Sequence, residues 1–121
     1  MATEAEAETR AAEQLFERLA ARFLADPTVD QGTGFGSNPG LRVGSKIFAM
    51  LRNSDLVVKL PKQRVEQLVA SGAGARFDPR HDGRLMKQWV TIPMRHRRDW
   101  DQLASEALQF VGSALPSARR R

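Results

Sequence analysis

Between Thr9 and Ala25 the apolar residues Leu15, Phe16, Leu19, Ala20, Phe23 and Leu24 recur at the three-and-four spacing that lines one face of a helix. Thr3 with Glu6 suits a capping box, and Thr9 is a second candidate cap. Asp26-Pro27 ends the helix, because a residue before proline is pushed out of helical geometry. Thr28 to Phe35 predicts a weak first strand, and Gly36-Ser37-Asn38-Pro39-Gly40 a turn. From Leu41 onward Val43, Ile47, Phe48, Ala49, Met50 and Leu51 predict one apolar strand, which stops at Arg52-Asn53-Ser54-Asp55. Leu56-Val57-Val58-Lys59-Leu60 resumes at once, so the two arms read as an antiparallel hairpin.

Pro61 then stands where a helix tolerates proline, and Val65, Leu68 and Val69 give a short helix closed by Ser71-Gly72. Ala75 to Phe77 adds a short strand, and Trp89-Val90-Thr91-Ile92 another, stopped by Pro93. Trp100, Leu103, Ala104, Ala107, Leu108, Val111 and Leu115 carry a last amphipathic helix, with Asp99 and Asp101 suited to its positive end. The order α-β-β-β-α-β-β-α, with hairpin-linked strands, predicts an α+β fold: a small antiparallel sheet with flanking helices. A chain of 121 residues accommodates one domain. Its expected bounds are 9–115, after a flexible acidic N-terminus (1–8) and before a basic tail (116–121).

Composition narrows the chemistry. No cysteine is present, which removes disulfides, thiolate metal sites and cysteine nucleophiles. The acidic, alanine-rich N-terminus does not read as a secretory signal, and no apolar run approaches the length of a membrane helix; a cytoplasmic protein without membrane contact is expected. The net charge of +5 is unevenly spread. Residues 1–40 hold three arginines against seven carboxylates, and residues 41–121 sixteen basic against seven acidic groups. The body is basic, as in proteins that meet nucleic acid or an acidic protein.

Five of the nine glycines fall between Gln31 and Phe48, but they form no nucleotide loop. Gly40 and Gly44 enclose three residues where a Walker loop needs four, Ser45 precedes Lys46 instead of following it, and a strand follows instead of a helix. His81 and His96 lack the spacing of a metal pair. His81 beside Asp78 and Asp82 is the one conceivable cluster, and no serine sits in a nucleophile elbow. No catalytic residue, cofactor or metal is expected, and the chain reads as a non-enzyme.

What remains is basic and aromatic. Lys46, Arg52, Lys59, Lys62, Arg64, Arg80, Arg84 and Lys87 lie on or next to the predicted sheet and its loops, with Trp89 close by. A groove of this kind tracks phosphates while an aromatic ring stacks a base; alternatively Trp89 packs in the core.

In their order and spacing, Phe35-Gly36, Val43-Gly44-Ser45-Lys46-Ile47-Phe48-Ala49-Met50, Leu56-Val57-Val58-Lys59-Leu60, Phe77-Asp78-Pro79 and Met86-Lys87-Gln88-Trp89-Val90 resemble the N-terminal domain of TfoX and the related MmcQ/YjbR-like proteins. Ser45 stands where many of those relatives carry glycine. The resemblance implies a compact helix-sheet-helix domain and supplies no catalytic residue. The expected function is therefore a small binding or regulatory module whose basic sheet surface meets nucleic acid or another anionic partner through Lys46, Lys59, Arg80, Arg84, Lys87 and Trp89. The alternatives are a protein-protein interaction or self-association module, and a small-ligand protein using His81, Asp78 and Trp89.

Overall fold

The computed structural model describes residues 3–33, 39–77 and 86–113. Helix α1 spans Glu4–Phe23. Thr3 Oγ1 accepts from the Glu6 amide at 3.1 Å and Glu6 Oε1 accepts from the Thr3 amide at 2.8 Å. This reciprocal cap satisfies two of the amide donors that a helix start leaves unpaired. The earlier of the two candidate caps is the one used, so residues 4–8 are helical and not the flexible lead-in expected for 1–8.

Six strands follow: β1 Val29–Thr33, β2 Pro39–Val43, β3 Lys46–Arg52, β4 Asp55–Lys59, β5 Ala75–Phe77 and β6 Met86–Ile92. They form one antiparallel sheet in the order β1-β2-β3-β4-β6-β5. Helix α2 (Lys62–Ala70) separates β4 from β5, and a 3-10 segment (Met94–Asp99) leads into α3 (Trp100–Ser113). The fold class and the helix positions are as expected. The apolar run from Leu41 to Leu51, however, is two strands instead of one. It reverses at Gly44-Ser45, where φ is 56° and 70°, just as the next hairpin reverses at Asn53-Ser54 with φ of 52° and 70°. Two consecutive left-handed residues make the hairpin turn whose twist matches that of the strands.

All three helices lie on one side. There Leu41, Val43, Ala49, Leu51, Leu56, Val58, Leu60, Val90 and Ile92 meet Phe16 and Leu19 of α1, Val65 and Leu68 of α2, and Trp100, Leu103, Ala104 and Ala107 of α3 in one buried cluster. Ion pairs fasten the helices to one another: Arg22 to Asp101 at 2.8 Å joins α1 to α3, and Arg64 to Glu106 at 2.9 Å joins α2 to α3. A hydrogen bond of 3.1 Å between Thr9 Oγ1 and Ser54 Oγ ties α1 to the β3–β4 turn.

The other side of the sheet has a small apolar cluster of its own, formed by Met50, Val57, Phe77 and Trp89 with Ile47 at its margin. Met50 and Val57 are fully buried. Burial on both faces explains the unbroken apolar runs in β3 and β4, since a sheet with one wet face alternates.

Among the described residues no helix is long and apolar enough to cross a membrane.

Candidate functional site

Strand register builds a depression on the face away from the helices. Val57 pairs with Thr91, and Thr91 with Ala75, so one row across β4, β6 and β5 carries only modest side chains. In the adjoining region the larger, buried rings of Phe77 and Trp89 have centroids 6.5 Å apart. On the other side the β3–β4 turn supplies Arg52, Asn53 and Asp55. Together with Arg76, Phe77 and the row of Val57, Thr91 and Ala75, these turn residues line a cavity of about 290 Å³, a size at the small end of ligand pockets.

The electrostatics of this cavity follow from one displaced side chain. Arg52 and Asp55 face each other across the turn as Cα partners, the arrangement in which a cross-strand ion pair is expected. The Arg52 guanidinium instead lies over the Phe77 ring, 5.3 Å from its centroid, and makes no hydrogen bond or ion pair among the described residues. By contrast Arg22, Arg42 and Arg64 each hold a carboxylate. A guanidinium against an aromatic face keeps its edge donors directed outward, available to an oxyanion.

Asp55 is left without that cation. Its carboxyl is pushed above the ordinary range by partial burial, with repulsion from Glu8 adding to the effect and attraction from Arg95 opposing it. The site thus combines an unpaired guanidinium, a carboxyl that resists ionisation, the Thr91 hydroxyl, the Asn53 amide and an apolar floor. That set suits reversible recognition of a group that is anionic at one end and flat and apolar at the other. Among the described residues no group of histidine and carboxylate side chains can hold a metal ion.

The lysines expected to form a sheet surface occupy the opposite end of the strands. Lys46 opens β3, Lys59 closes β4 and Lys87 is the second residue of β6. Because these strands run antiparallel, all three backbone positions fall at one end of the sheet. Lys59 shares the face of Val57 and Trp89. Lys46 is paired with Val43, a member of the helix-side core, and therefore belongs to the other face. Trp89 is 7% exposed and packs with Phe77, Val57 and Met50. Arg80, Arg84, His81 and Asp78 lie outside the described residues.

Asp55, Phe77 and Thr91 were not among the residues singled out from sequence, and Arg52 entered only as one of the basic groups beside the predicted sheet. Asp55 reads there as a turn residue and Phe77 as an apolar motif position; the register that makes them neighbours has no local signal.

The YjbR family model matches residues 24–107, a span that runs from the end of α1 into α3 and contains every described residue of the cavity. Among curated proteins and among solved structures, none matches the chain.

Proposed function

The chain belongs to the YjbR family, and from that premise and the geometry of its sheet we propose a small non-enzymatic binding module that takes an anionic partner, nucleic acid foremost, on the face turned away from the helices. The observation that carries this function is Arg52, whose guanidinium lies over the Phe77 ring, 5.3 Å from its centroid, and meets no acid among the described residues although Asp55 is its cross-strand partner. The same face bears Lys59 beside Trp89. Four residue steps along β4 separate the two ends of this strip, about 13 Å, with the buried Val57 and the Phe77–Trp89 pair between them. Cations flanking an apolar and aromatic centre suit a chain of phosphates whose bases seek a dry surface.

Binding of this origin releases counterions, so its affinity falls steeply with salt. Titration of labelled single-stranded and duplex DNA, followed by fluorescence anisotropy at low and at moderate salt, tests it. The expected result is saturable binding at low salt that weakens severalfold or more as salt rises. Absence of binding to either form at low salt refutes the function.

A further inference from the structure

Within that function, and resting on it, we propose that the Arg52–Phe77 pair and the adjoining cavity form a subsite for one unpaired nucleotide of a single strand. Three observations converge. The cavity of about 290 Å³ is floored by the exposed Ala75 and the half-buried Thr91 over the buried Val57, contributed by three neighbouring strands, which gives a base with small side chains against which a planar ring can lie. Its rim offers both hydrogen-bonding senses: the Asn53 amide and Thr91 hydroxyl donate or accept, and Asp55 adds an acceptor when ionised or a donor when protonated. Arg52 stands at the edge of the floor with its guanidinium over the Phe77 ring, where its donors can meet a phosphate and its π-system a base.

A duplex cannot use such a place, because its bases are stacked and paired inward and only its phosphates reach a protein surface of this depth. Arg95 lies close enough to Asp55 to affect its ionisation and is exposed at the same end of the sheet. It adds to the positive charge at this end of the sheet, while Lys59 lies at the other end of the strip. The nucleotide chemistry is shared by a free mononucleotide and by a residue within a strand. The chain of cations along the face favours the strand.

The test measures anisotropy with a labelled octathymidylate, a blunt duplex of the same length, thymidine monophosphate as competitor and inorganic phosphate as a second competitor. The proteins are the intact chain, Arg52→Gln, Arg52→Lys and, as a control for diffuse charge, Lys62→Gln, which alters a cation on α2 that pairs with Glu66. Thermal melting establishes that each is folded. Single-strand binding tighter than duplex binding is expected, with about a tenfold loss for Arg52→Gln, a loss nearly as large for Arg52→Lys, and little change for Lys62→Gln. Trp89, next to Phe77, should change its fluorescence on binding the single strand and not on addition of the duplex.

Equal losses for Arg52→Gln and Lys62→Gln, or duplex binding as tight as single-strand binding, overturn the subsite while leaving an electrostatic nucleic-acid module standing. Competition by inorganic phosphate as effective as that by thymidine monophosphate also overturns it, because the base then contributes nothing. No binding of either nucleic acid at low salt removes the subsite and the broader function together.

Discussion

Two serines in this protein occupy nearly the same backbone state in opposite surroundings, and replacing each by glycine separates backbone strain from side-chain bonding. Ser45 and Ser54 each have φ of 70°, the left-handed region that costs an L-residue roughly 1–2 kcal/mol. Glycine removes that penalty but gives the unfolded chain extra freedom, a loss of about 0.4–1 kcal/mol. Ser45 is exposed and its hydroxyl makes no hydrogen bond among the described residues. Ser45→Gly should therefore stabilise the protein by about 0.5–1 kcal/mol. Ser54 is only 9% exposed and is bonded to Thr9 of α1 at 3.1 Å. Ser54→Gly relieves the same strain and forfeits that bond, worth about 1 kcal/mol net. Thr9 keeps a partner, because its hydroxyl also donates to the Ala5 carbonyl at 2.9 Å. The second variant should therefore be near neutral or slightly destabilised. Urea unfolding of both variants, fitted with a common m-value, reads the difference directly. Equal stabilisation of the two would mean that the bond between α1 and the turn contributes nothing. Destabilisation by Ser45→Gly would refute the strain argument itself.

Two further outcomes test the site and its scaffold. The raised carboxyl of Asp55 binds its proton more tightly in the folded than in the unfolded chain, so stability falls as pH rises from the unfolded carboxylate range, about 3.9, through the folded value. Asp55→Asn should accordingly be more stable than the parent at neutral pH, with the advantage shrinking as pH falls through the folded value towards about 3.9; a gap that does not vary with pH in urea melts contradicts this. At Gly74, a Cβ would approach Val90 Cγ2 to 2.8 Å, Ile92 Cδ1 to 2.9 Å and the Thr91 carbonyl oxygen to 3.1 Å. Gly74→Ala should cost about 1–3 kcal/mol in thermal or urea melts, and unchanged stability would show that β5 shifts freely away from β6.

The elements with an independent local signal were legible in the chain itself. The capping pair Thr3 and Glu6, the proline stops at Pro27 and Pro93, and the three-and-four spacing of α1 and α3 each act within one turn of backbone, so sequence neighbours suffice to reveal them. The reversal at Gly44-Ser45 was hidden for a physical reason. Turns of this kind favour asparagine, aspartate or glycine at left-handed positions, and serine gives little warning. The two-sided burial of β3 and β4 also erased the alternation that would have marked each strand separately. The sheet-end gathering of Lys46, Lys59 and Lys87 depended on that hidden reversal, which makes Lys46 the start of a strand instead of its middle. The Arg52–Phe77 contact depends on β6 entering the sheet between β4 and β5, and no short-range pattern records that insertion.

That insertion also sets how unevenly the cavity is anchored. The wall carrying Arg52, Asn53 and Asp55 belongs to strands bonded to neighbours on both sides, and its turn is further pinned to α1 through Ser54. The wall carrying Phe77 belongs to a three-residue strand at the sheet edge, laddered on one side only, with a register irregularity between Arg76 and Phe77. Local opening is cheapest where the fewest backbone bonds must break. Amide exchange should thus be fastest along β5, and accommodation of guests of different girth would fall to the Phe77 side, while the guanidinium side keeps its position and with it the polarity of whatever is held.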